Sequence, residues 1–218
     1  MRLSVFGVGY VGCVSAACFA NDGHTVTGVD VNRTKVEILN RGDSPIVEPG
    51  ISDLVRQTVN SGHLNATIDS ATAVHNSDIS LVCVGTPSKP NGSLDLRYVE
   101  HVCEAIGKAI GEKTDRHVVV IRSTMLPGTT DKLVIPTLER SSNKKAGQDF
   151  GVCVNPEFLR EGSSLKDFYA PPFTLIGADD HETTALVKQL YANLSVPCFK
   201  HPSELLKWSN MFAIVFMR

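Results

Sequence analysis

The chain has 218 residues, 42% of them hydrophobic and 20% charged, with a formal net charge of −2. That balance offers no basic face of the kind a nucleic-acid partner requires. No apolar run approaches the roughly 18 residues that a membrane span needs, and the apolar start Leu3–Val8 is too short for a secretory signal, so the chain reads as cytoplasmic. The length suits one large domain, or one plus the start of another, with a core that needs no disulfide staples.

In chain order, a strand is predicted at Arg2–Phe6 and a helix at Tyr10–Asn21, joined by Gly7-Val8-Gly9-Tyr10-Val11-Gly12. Glycines in this spacing between a strand and a helix fit a dinucleotide turn. Gly7 permits the tight turn, Gly9 lets the backbone approach a pyrophosphate, and Gly12 lets helix and strand pack closely. The helix start at Tyr10 and Val11 then presents unpaired N–H groups to phosphate. Alone, such a turn also fits a fold that has lost its ligand. The next strand, Thr25–Asp30, ends in a carboxylate that can accept hydrogen bonds from ribose hydroxyls and repel a 2′-phosphate, which favours NAD over NADP. Helices follow at Arg33–Asn40, Ile51–Asn60 and Ser70–His75; Lys35, on the first of them, reads equally well as a solvated face.

Ser80–Val84 is an apolar strand running into Val84-Gly85-Thr86-Pro87, and Leu96–Ile110 a helix with Val99, Val102, Ile106 and Ile110 on one side. Val118–Arg122 is a second buried strand, ending at Ser123-Thr124. Hydroxyls at strand ends often cap the next helix, but two of them on one sheet edge point to a ligand. A helix at Thr129–Glu139, a polar loop at Ser141–Gln148, strands at Gly151–Val154, Thr174–Gly177 and Val196–Phe199, and a helix at Thr183–Asn193 complete the pattern. Alternation of this kind predicts an α/β fold, a doubly wound, mostly parallel Rossmann-like sheet with right-handed crossovers. Six cysteines without a CxxC pair read as reduced, buried side chains. Seven scattered histidines suggest no metal site.

After the strand at Gly151–Val154 comes Asn155-Pro156-Glu157-Phe158-Leu159-Arg160-Glu161-Gly162, two carboxylates with an arginine between them as internal counter-charge. The bland reading is a capped helix start. The segment also resembles the signature loop of the nucleotide-sugar 6-dehydrogenases, the UDP-glucose and GDP-mannose dehydrogenase family, and the resemblance extends from Met1 to about Glu204. It implies oxidation of the sugar C6 alcohol to a carboxylate with two NAD, through an aldehyde captured by a cysteine. Within it, Lys35 lies along the adenosine ribose, Gly85, Thr86 and Thr124 contact the dinucleotide, and Thr124 faces the reacting carbon. Glu161 binds substrate and positions water, and Glu157 supports the loop. Ser44-Pro45-Ile46-Val47-Glu48-Pro49-Gly50, Cys83–Lys89, Arg122–Thr129 and Pro171–Thr174 resemble the GDP-mannose branch, so GDP-mannose or a related nucleotide sugar is the expected substrate, with UDP-glucose the alternative. A hydroxyacid-type dehydrogenase fits Asn155–Gly162 less well.

The resemblance stops after Glu204, where the family continues into a long helix bearing a lysine, an asparagine and the catalytic cysteine, and forms homodimers. Back-translation of Leu206–Val215 in a shifted frame can yield Ala-Glu-Met-Val-Lys-His-Val-Cys-Asn-Arg, the family's own segment. The expectation is therefore an NAD-binding domain over residues 1–200 and an out-of-frame start of the central helix over 201–218, without the substrate-binding domain. Such a chain binds NAD but is catalytically dead.

Overall fold

The computed structural model describes residues 1–194 and the backbone of 198–201; the out-of-frame reading of the tail concerns residues outside these. The elements are β1 (Arg2–Phe6), α1 (Tyr10–Asn21), β2 (Thr25–Val29), α2 (Arg33–Asn40), α3 (Ile51–Asn60), β3 (Leu64–Thr67), α4 (Ser70–His75), β4 (Ile79–Val82), α5 (Arg97–Glu112) and β5 (His117–Ile121). A π-helical turn (Thr130–Val134) leads into α6 (Ile135–Ser142), followed by β6 (Phe150–Val154), α7 (Ser164–Tyr169), β7 (Thr174–Gly177), α8 (His181–Gln189) and β8 (Cys198–His201). Among the described residues the strands form one sheet in the order β3-β2-β1-β4-β5-β6-β7-β8. The order reverses between β1 and β4, and a doubly wound sheet opens a crevice there at the carboxyl ends of its strands.

Alternate residues of the central strands feed two separate cores. Leu3, Val5, Ile79, Leu81, Val118 and Val120 pack with α1, α3 and Phe168 of α7 on one face. Phe6, Val82, Val119 and Ile121 pack with Val99, Ile106 and Leu138 of α5 and α6 on the other. Strands covered on both faces explain the unbroken Val/Ile runs. Helix α1 is buried along Gly12–Ala20, wedged between the sheet and its neighbours, which suits small residues such as Ala16, Ala17 and Ala20.

The expected elements are largely present, with three differences. β6 and β7 are antiparallel, meeting at Val154 and Gly177: the chain leaves β6, makes a loop and the short α7 at the same sheet edge, and re-enters without crossing over. The helix expected at Thr129–Glu139 is split into a π turn and α6, because Pro136 lies in the first turn of α6 and has no N–H for the preceding ladder. Edge strand β3 and the six-residue α7 carry too few periodic apolar residues to announce themselves. Among the described residues no helix is long and apolar enough to cross a membrane.

At the amino ends of the central strands lies a buried polar chain. The Ser4 hydroxyl is 2.7 Å from that of Ser80, and Ser80 Oγ is 2.7 Å from His117 Nε2. His117 Nδ1 donates to the Ser77 carbonyl at 3.2 Å, an acceptor only, so Nε2 must accept from Ser80. Burial pushes the imidazole down to about 3. Because an unfolded histidine titrates near about 6.5, the unfolded chain takes up this proton first. The stabilisation is complete above that value and is lost as pH falls toward 3, with a slope of about 1.4 kcal/mol per pH unit. Urea unfolding between pH 7 and pH 4 should show that slope, and His117→Gln should flatten it by about one proton.

Candidate functional site

The turn after β1 is shaped by what its glycines lack. Gly7 has φ of +91°, a conformation open to glycine at little cost. A Cβ on Gly12 would sit 1.8 Å from the Gly7 carbonyl oxygen, whereas one on Gly9 would meet nothing within 4 Å. Helix and turn are thus in backbone contact on one side and open on the other. Gly9 caps α1 without any side-chain hydrogen bond, which leaves the first N–H groups of the helix for a ligand. This arrangement fits the diphosphate of a dinucleotide.

Asp30 follows β2 directly and braces the same turn. Its carboxylate accepts from Val8 N at 2.8 Å and from Asn32 N at 2.9 Å, which uses two of its four or so acceptor positions. Lys35 Nζ stands 4.0 Å from Asp30 Oδ2, at the outer limit of an ion pair, and its side chain is partly exposed.

A cleft opens over the strand ends. It is lined by Gly9, Tyr10 and Val11 from the turn, Cys83–Thr86 after β4, Arg122–Thr124 after β5, and Glu157 from the loop after β6. Seven residues expected at the site from sequence therefore share one cavity: Gly9, Tyr10, Val11, Gly85, Thr86, Thr124 and Glu157. The strand-end hydroxyls do not cap helices. Thr86 donates to the Thr124 carbonyl at 2.7 Å and Ser123 to that of Val84 at 2.7 Å, stitching the loops after β4 and β5 together. The Thr124 side chain stays exposed.

Arg122 was not expected at the site. It is 6% exposed, and its Nη1 donates to Asn155 Oδ1 at 2.8 Å and to the Tyr191 hydroxyl at 2.7 Å. Asn155 donates in turn to the Leu175 carbonyl at 2.7 Å. The first residue of the signature loop is thereby tied to β5, β7 and the segment after α8.

Within the loop the expected ion pairing is corrected. Arg160 is not the counter-charge of Glu157 and Glu161: its guanidinium pairs with Asp167 of α7 at 2.7 Å. Asp167 also accepts from the Arg160 amide and the Ser163 hydroxyl, and the Arg160 hydrogen bonds hold its carboxyl down at about 2. Glu157 accepts from Leu159 N and lines the cleft. Glu161, expected to face the ligand, is exposed and outside that lining. A second carboxylate missed from sequence is Glu48, 7% exposed, which accepts from the Tyr10 hydroxyl at 2.6 Å and from Gly162 N and Ser164 N at 2.8 Å each. Burial works against its charge, but these three donors outweigh burial and keep the carboxyl below its usual range. Its motif, Pro45-Ile46-Val47-Glu48-Pro49-Gly50, was visible; that the carboxylate turns inward was not.

Five cysteines, 13, 18, 83, 103 and 153, are buried thiols, as their pattern implied; the side chain of Cys198 is outside the described residues. Burial pushes Cys13, Cys18, Cys83 and Cys103 up to about 12, far from the thiolate a nucleophile requires.

Residues 1–195 match the UDP-glucose/GDP-mannose dehydrogenase family, NAD binding domain. The chain belongs to that family. It is 53% identical over 205 residues to the GDP-mannose 6-dehydrogenase of Pseudomonas aeruginosa, covering 94% of this chain and 47% of that protein. With the UDP-glucose 6-dehydrogenase of Haloferax volcanii it shares 35% identity, covering 96% of this chain and 50% of the relative. The fold superposes on a ternary complex of GDP-mannose dehydrogenase from Pseudomonas aeruginosa with a TM-score of 0.97 and 50% identity, covering all of this chain and 50% of the other. The chain thus spans about half the length of the relatives it matches, and its cofactor is NAD. Within the glycine turn, Gly12 is the position with least room for a side chain. Gly12→Ala should destabilise it by about 3 kcal/mol, read as a lowered urea midpoint, and should abolish NAD binding in calorimetry.

Proposed function

We propose that residues 1–200 form the cofactor half of a nucleotide-sugar 6-dehydrogenase whose substrate is GDP-mannose. The observation that carries this reading is the single cleft in which the glycine turn, the strand-end threonines and Glu157 of the signature loop converge. The preference for GDP-mannose rests on 53% identity to a GDP-mannose 6-dehydrogenase against 35% to a UDP-glucose 6-dehydrogenase. UDP-glucose is the alternative.

NAD, when bound, supplies the hydride acceptor for oxidation of the sugar C6 alcohol. The chain's own residues hold and orient it. Backbone N–H groups at Gly9–Val11 receive the diphosphate. Asp30, with its spare lone pairs, takes the adenosine ribose hydroxyls, and Lys35 screens that charge. Gly85 leaves the cofactor room beside β4, and the Thr86–Thr124 hydrogen bond sets the two loops along its length. Thr124, an exposed residue, and Glu157 would serve the reacting end, where a carboxylate can accept a proton or orient water. Glu161, exposed and outside the cleft lining, would meet a sugar arriving from solvent.

Capture of the aldehyde needs a thiolate, and none of the five described cysteines is exposed. The 218-residue chain should therefore bind NAD+ with micromolar affinity in calorimetry yet form no uronate from GDP-mannose or UDP-glucose, because oxidation cannot pass the aldehyde. Uronate formation would place a working nucleophile in this chain, and absence of a binding heat would remove the cofactor reading.

A further inference from the structure

Glu48 joins two parts of the site that the sequence keeps far apart. One of its oxygens, Oε2, accepts both from the Tyr10 hydroxyl at 2.6 Å and from Gly162 N at 2.8 Å; the other accepts from Ser164 N at 2.8 Å. Tyr10 opens α1 and lines the cleft. Gly162 closes the signature loop, and Ser164, fully buried, opens α7. The same phenol lies 3.2 Å from the Arg160 carbonyl, so Tyr10 touches the loop directly as well as through the carboxylate. The segment carrying Glu48 is built to present it. Ser44 closes a small turn with Ile46 through hydrogen bonds of 2.8 and 3.2 Å, and a Cβ on Gly50 would come within 3.1 Å of Leu165 in α7.

All three of these donors are neutral, so the buried carboxylate depends on their hydrogen bonds alone for its solvation. Losing one leaves a charge in a poorly solvated position, a cost that makes the contacts stand or fall together. We propose that Glu48 is a positioning residue that couples occupancy of the dinucleotide cleft, through Tyr10, to the observed placement of the Asn155–Gly162 loop. This rests on the NAD reading above. A dinucleotide that immobilises the backbone at Gly9–Val11 holds the phenol on Glu48. The carboxylate then holds Gly162 and Ser164, and with them the segment carrying Glu157 and Glu161. By linkage, a loosened loop must weaken cofactor binding by the same factor.

Amide hydrogen exchange of the 218-residue chain, followed by NMR with and without NAD+, tests this, alongside calorimetry of NAD+ binding to each protein. In the wild type, saturating NAD+ should slow exchange at Gly162 and Ser164 by about tenfold. In Tyr10→Phe, which removes only the hydroxyl, the slowing at these two amides should vanish and NAD+ affinity should fall by about tenfold. Leu138 in α6, remote from the cleft, serves as the control. In Glu48→Gln, which loses an acceptor, both amides should exchange faster even without NAD+, and NAD+ affinity should fall by about tenfold. If NAD+ binds and the two amides respond equally in wild type and Tyr10→Phe, or respond in neither, the coupling does not run through this carboxylate and the proposal fails while the cofactor reading stands. If no NAD+ binds to the wild type, both fall.

Discussion

The site depends on a backbone-to-backbone contact. Helix α1 approaches the turn after β1 so closely that a Cβ on Gly12 would overlap the Gly7 carbonyl. That approach sets the position of the α1 N-terminus over the sheet edge, and with it the uncapped N–H groups at Gly9–Val11. It also sets where the Tyr10 side chain leaves the helix, and so whether its hydroxyl can reach Glu48. A larger residue would separate helix from strand and move every group that faces the cleft. The burial of α1 on all sides makes such a shift costly well beyond the turn itself.

Around this contact the loops are held by buried or half-buried carboxylates that accept from backbone N–H groups. Asp30 braces Val8 and Asn32, Glu48 braces Gly162 and Ser164, Asp167 braces Arg160, and Glu157 braces Leu159. The reason is chemical: loops at the carboxyl end of a parallel sheet have many N–H groups without ladder partners, and an ionised carboxylate satisfies several at once with strong hydrogen bonds. Arg122 plays the opposite part, a buried cation whose neutral partners Asn155 and Tyr191 anchor the loop's first residue. The cleft is therefore preorganised by charge as well as by packing.

The doubly wound sheet, the glycine turn, Asp30 and the strand-end threonines were legible from sequence because each is a local signal. Unbroken Val/Ile runs mark strands, glycine spacing marks the turn, and a residue at the end of a strand is at the ligand edge by topology. The antiparallel β7 was not legible, since strand direction depends on which edge the loop after β6 returns to. Nor was the break before α6, where one proline inside an otherwise helical pattern shifted the ladder. The pairing of Arg160 was misread because the nearest carboxylates in sequence, Glu157 and Glu161, are not the nearest in space; α7 folds back and brings Asp167 to it.

By itself, then, the sequence determined the fold class, the cofactor edge and the family, through patterns whose meaning is carried within a few residues or within one strand–turn–helix unit. Only the tertiary structure decided which carboxylates face the cleft, which brace loops, and which cysteines are buried beyond reach. Side-chain role at these positions follows from desolvation and from partners more than a hundred residues away in sequence, such as Glu48 with Gly162. No local pattern records such a pairing, because it exists only once the sheet has brought its loops to one edge.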